Sequence, residues 1–160
     1  RDVTALNAWG VGEGILCRSA AYSIRQPGHF CLYRGTDGRI AARIQDYDEF
    51  PSVRCSHQTL APHVWYQVGI NFGPGGLELF VDGARQEGTG TVSILDAEPW
   101  GRLDCSERQV EDLGIDGNTF FWVVGATADV WHPSDNNIGE PLNGIVDELS
   151  IADFRRSFGP

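Results

Sequence analysis

Residues 65–83 constrain the fold of this chain more than any other stretch. Tyr66, Val68, Ile70 and Phe72 alternate with Gln67, Gly69 and Asn71. After Gly73, Pro74, Gly75 and Gly76 the alternation resumes, with Leu77, Leu79 and Val81 set against Glu78 and Phe80. Successive side chains on a strand point to opposite sides, so a period of two on either side of a glycine-rich turn predicts a β-hairpin with one buried face. Burying aliphatic and aromatic side chains at about 1.5–3 kcal/mol each places this hairpin at the centre of the core.

Other β-prone runs lie at residues 3–9, 14–18 and 30–33. In residues 40–44, Ile40, Ala42 and Ile44 share one face and Arg39, Ala41 and Arg43 the other. Gly35, Thr36, Asp37 and Gly38 between these last two runs read as the turn of a second hairpin. Residues 120–126 read as a buried strand and residues 145–151 as a closing one. Twenty glycines and eight prolines fall between the runs, too many for long helices. Residues 84–118 dissolve into Gly, Glu, Asp and Ser with only 91–95 strand-like, and are expected to form a long loop. A chain of 160 residues suits one hydrophobic core. The expectation is a single all-β domain over residues 1–160, a two-sheet antiparallel sandwich.

The order of these segments resembles the laminin-G-like family of the concanavalin-like jelly rolls. The pair Trp65-Tyr66 leading into a strand, the run Val81-Asp82-Gly83 closing the next, the strand ending at Gly125-Ala126, and Asn143-Gly144-Ile145-Val146-Asp147-Glu148 are similar to that family's motifs in the same order. Ala8-Trp9 and Gly14-Ile15-Leu16 are similar to its early strands. The resemblance implies a jelly-roll sandwich acting as a secreted, extracellular lectin-like module, with calcium, where present, held by acids and carbonyls near the sheet edges. Two departures stand out: the sequence begins too late to show the family's strand before Ala8-Trp9, and residues 84–118 are longer than the family's connection.

Twelve basic and 22 acidic residues give a net charge of −10, a surface that repels phosphate backbones and argues against nucleic acid and anionic membrane. There is no run of about 18 apolar residues to insert in a membrane, and no basic-then-apolar leader at the start; if the chain is secreted, the expectation is that its leader has been removed. Cys17, Cys31, Cys55 and Cys105 allow three pairings. Cys17 and Cys31 fall on neighbouring strands around a turn near Ile24, where they would face each other at disulfide distance; buried thiols are the alternative.

Glycoside hydrolysis needs two carboxyl groups about 5–9 Å apart across the bond, which on one strand means acids at alternating positions. No strand shows that pattern, and Asp46, Asp48 and Glu49 read as a solvated turn. The chain is therefore expected not to be an enzyme. Asp147 shares a strand face with Ile145, Leu149 and Ile151. If that face points inward, the carboxylate must accept hydrogen bonds or hold a cation such as a structural calcium.

The polar loop after residue 126 gathers Trp131, His132, Asp135, Asn136 and Asn137. An indole to stack on a sugar's C–H face, with carboxylate and amides for its hydroxyls, suits a glycan, and equally suits a capped polar turn. Trp100 is a second candidate platform. The expected function is an extracellular recognition module binding carbohydrate or a protein partner through edge loops, as part of a larger chain. The alternatives are a spacer domain of an adhesin or cell-surface protein, and a polysaccharide-acting glycosidase or lyase.

Overall fold

The structure is a computed structural model that describes residues 13–18, 29–45, 52–93, 102–106, 122–128, 138–139 and 142–152. Its strands are, in chain order, β1 (Glu13–Arg18), β2 (His29–Arg34), β3 (Arg39–Gln45), β4 (Ser52–Thr59), β5 (Val68–Asn71), β6 (Glu78–Val81), β7 (Ala84–Gln86) and β8 (Thr91–Ser93). They continue with β9 (Arg102–Asp104), β10 (Val123–Val124), β11 (Thr127–Ala128) and β12 (Ile138–Gly139). Every pairing is antiparallel, and no helix occurs among the described residues. The all-β expectation holds.

A five-stranded sheet runs in the order β10-β1-β2-β3-β4, beside a three-stranded sheet β5-β6-β7 and two pairs, β8-β9 and β11-β12. The β2–β3 hairpin forms where the sequence places it. Gly35 N–H donates to Arg39 O (2.8 Å) and Gly38 N–H to Gly35 O (2.9 Å). Gly38 sits at φ 78°, a left-handed conformation in which a Cβ is strained.

Both faces of the five-stranded sheet are covered. On the inner face Leu16, Phe30, Leu32, Ile40, Ala42 and Ile44 pack on Leu77 and Leu79 of the hairpin. On the outer face Cys17, Cys31, Tyr33, Ala41, Val53 and Cys55 pack on Val92, Leu103 and Cys105. The covering residues of that outer face come from the stretch read as a long loop, and this is the first correction. Residues 84–93 and 102–106 hold three short strands, and β8 and β9 lie over the sheet as a third layer.

That layer is tied down at several points. Thr36 N–H donates to Ser93 O (2.9 Å) and Gly88 N–H to Cys55 O (2.8 Å), and within the layer Cys105 N–H donates to Gly90 O (2.8 Å). The Arg39 guanidinium donates to the carbonyls of Thr89 and Thr91. A disulfide joins Cys55 to Cys105, with Cα atoms 5.5 Å apart. Strands of three residues carry little hydrophobic period, so these polar and covalent ties add to the packing of Val92, Leu103 and Cys105 in holding them on the sheet. Cys17 and Cys31 are cross-strand partners as expected, but they carry buried thiols.

The closing strand is the second correction. Residues 142–152 join no sheet among the described residues. Ile145 is 76% exposed, and Leu149, Ile151 and Asp147 are exposed too. Glu148 takes φ 52°, and a left-handed residue in the middle of the run breaks the period-two alternation that would have turned Ile145, Asp147, Leu149 and Ile151 to one side. Leu142 N–H donates to Gly125 O (2.8 Å) and anchors the start of the segment.

Candidate functional site

The three-stranded sheet covers the inner face unevenly. On β6, Leu79 and Val81 are buried, as is Leu77 just before it. On β5 the expected pattern is displaced: Gly69 and Asn71 are buried, and Val68 and Ile70 are only half-buried. The strand starts at Val68, so Trp65, Tyr66 and Gln67 lie ahead of it. The half-buried residues border a groove of about 760 Å³ between the sheets.

Aromatic side chains pack within it. The ring of Phe30 lies 5.9 Å from that of Phe72 and 5.7 Å, edge to face, from that of Trp122. The Arg18 guanidinium sits 5.5 Å from the centre of the Trp122 ring, a cation–π contact that holds the half-buried indole in place. Leu16 and Leu32 complete the apolar floor.

The rim is polar and is built by two segments. Residues 60–67 are pinned at both ends. Leu60 N–H donates to Gly38 O (3.0 Å), Ala61 N–H to the Tyr66 hydroxyl (2.9 Å), and Gln67 N–H to Asp82 Oδ1 (2.8 Å), while Asp82 N–H returns to Gln67 O (2.8 Å). His63 sits at φ 62° within this rim. A left-handed histidine is a strained backbone held by its surroundings, and such strain gathers at ligand-binding loops. Trp65 follows two residues later with 67% of its surface exposed. Opposite runs the segment that carries Asp147, whose Oδ1 accepts the Glu148 N–H (2.9 Å).

Arg34 reaches the groove from β2. Its Nη1 lies 3.4 Å from Glu13 Oε2, and Glu13 is buried with Oε1 lacking a hydrogen-bond partner. A buried carboxylate needs a cation beside it to offset lost hydration, which fixes Arg34 at the groove wall.

Asp147 was expected to face inward, but it is exposed. No group of three or more His, Cys, Asp or Glu side chains gathers among the described residues. Trp131, His132, Asp135, Asn136, Asn137 and Trp100 lie outside the described residues, as do Asp46, Asp48 and Glu49. Trp65 was overlooked as a surface residue because it opens an alternating run. Pro62 three residues before it was the available signal, since proline breaks a strand.

Comparison with protein-family models, curated proteins and solved structures finds no match. The likeness to laminin-G-like domains therefore rests on residue order alone.

Proposed function

We propose that the chain is an extracellular recognition module of the laminin-G-like, jelly-roll kind, and that its groove takes a carbohydrate. The observation that carries this reading is the exposed indole of Trp65 at the rim of an apolar groove. The groove volume, about 760 Å³, falls within the range of about 300–1,000 Å³ for small-molecule sites. A sugar presents a C–H face to an aromatic ring and hydroxyls to polar side chains. Trp65, Phe72 and Trp122 offer the rings, and Arg34, Gln67 and Asp147 the polar groups.

The test is a glycan array probed with the wild-type chain and with Trp65→Ala and Trp131→Ala. Binding that Trp65→Ala abolishes supports the groove. Binding that only Trp131→Ala abolishes moves the site to the loop after residue 126. A folded chain that retains no glycan or protein partner favours the spacer reading, and release of shortened saccharides favours a polysaccharide-acting enzyme.

A further inference from the structure

Cys17 and Cys31 are direct partners between β1 and β2, and the backbone pattern fixes how they meet. Gly35 N–H donates to Arg39 O, one step beyond the Arg34–Ile40 pair of β2 and β3. Backbone polar groups alternate sides along a strand, so Tyr33 and then Cys31 turn theirs toward β3. On the other strand Gly125 N–H donates to Ile15 O. β1 shifts register against β2 between Gly14 and Leu16, but against β10 the order is unbroken: past the Gly125–Ile15 bond, Leu16 pairs with Val124 and Cys17 with Val123, which turns the backbone groups of Cys17 toward β10.

Neither cysteine aims its backbone groups at the other. They form a non-hydrogen-bonded pair, the closer kind, with Cα atoms about 4.5 Å apart. That spacing lies within the range of about 4.4–6.8 Å that a disulfide spans. Both side chains are buried on the outer face, in the same cluster as the Cys55–Cys105 disulfide. Tyr33 stands with them, and burial first, then Cys31 and Cys17, hold its phenol protonated to well above its ordinary range.

We propose that Cys17 and Cys31 are a redox couple that closes a second disulfide by exchange with a small-molecule disulfide of the glutathione class. One cysteine thiolate attacks a sulfur of the small disulfide, forming a mixed disulfide and releasing one small thiolate. The second cysteine thiolate attacks the protein sulfur of that bond and expels the other small thiolate. Two protein thiols are oxidised to one disulfide, and one small disulfide is reduced to two thiols. The sulfurs lie beneath β8 and β9, so exchange proceeds through opening of that layer. The bond ties β1 to β2, whose Leu16, Phe30 and Leu32 floor the groove on the opposite face, and the inference stands whatever the groove binds.

The native chain should be equilibrated across ratios of oxidised to reduced glutathione. It is then acid-quenched, unfolded, alkylated without reduction, and mapped by peptide mass spectrometry. The oxidising end should yield peptides joined through Cys17 and Cys31, two fewer alkylated thiols, and a melting temperature higher by about 5 °C or more. The reducing end should reverse all three while Cys55–Cys105 stays joined. Four results would overturn the couple: both thiols alkylated at every ratio, glutathione adducts with no joined peptide, a bond from Cys17 or Cys31 to Cys55 or Cys105, and a Cys17–Cys31 bond that opens only on unfolding.

Discussion

The two faces of the five-stranded sheet are covered by different physics. On the inner face aliphatic side chains from β1, β2 and β3 meet Leu77 and Leu79 of a hairpin whose alternation is strong. On the outer face β8 and β9 contribute Val92 and Leu103, and the layer is held by the disulfide, the Arg39 guanidinium and main-chain bonds. A strongly alternating apolar hairpin holds one cover, and on the other a smaller apolar contact is reinforced by discrete ties. Breaking a tie should therefore loosen the outer layer locally, whereas hollowing the inner core should weaken the whole molecule.

The largest effect is expected from Cys55→Ala with Cys105→Ala. The bond spans 50 residues of sequence, and removing a cross-link of that length costs about 4 kcal/mol by loop entropy. Hydrogen exchange should show the amides of β8 and β9 released first while β5 and β6 stay protected. Equal release in both sheets would erase the contrast between the faces.

Leu79→Ala comes next. Leu79 is fully buried on the inner face, and its truncation should cost about 3 kcal/mol in denaturant unfolding, with protection lost throughout. Gly88→Ala is smaller, about 1–3 kcal/mol. A Cβ there would collide with the Ser56 carbonyl oxygen, which is backbone and cannot step aside, so the outer layer should lift while the inner core keeps its protection.

Ser106→Ala is the smallest. Asp104 on β9 accepts hydrogen bonds from the Ser106 hydroxyl (2.7 Å) and N–H (2.9 Å), and the hydroxyl first, then the amide, hold its carboxyl below its ordinary value. A depressed native value gives stability that is present above the unfolded value and lost as pH falls toward the native one. Losing the hydroxyl should raise the Asp104 pKa and shift the acid unfolding of this layer slightly upward in pH, readable by NMR titration.

The same contrast explains what was legible beforehand. Period-two patterns found β2, β3 and β6, because an apolar stripe facing a core is written into the side chains themselves. β4 was missed because Ser52, Val53, Cys55 and Ser56 are buried on both of its faces, so no alternation shows. β8 falls within residues 91–95, the one strand-like part of residues 84–118, whereas β7 and β9 were missed because strands of three residues show little hydrophobic period. The closing segment has the period, but the left-handed Glu148 interrupts it. Of the candidate site, Asp147 was singled out for an inward-facing role and is found exposed on the rim, while Trp65 was hidden inside a motif read as core.

The central claim is that the groove on the inner face is where this chain meets its ligand. The most direct measurement is the indole N–H resonance of Trp65, followed by NMR during titration with a glycan that binds. Trp65 is exposed, so Trp65→Ala should change stability by less than about 0.5 kcal/mol while weakening binding at least about tenfold, a loss of about 1.4 kcal/mol or more. The account predicts that the Trp65 resonance shifts in step with saturation. A Trp65 resonance that stays fixed while the glycan saturates the chain would contradict it.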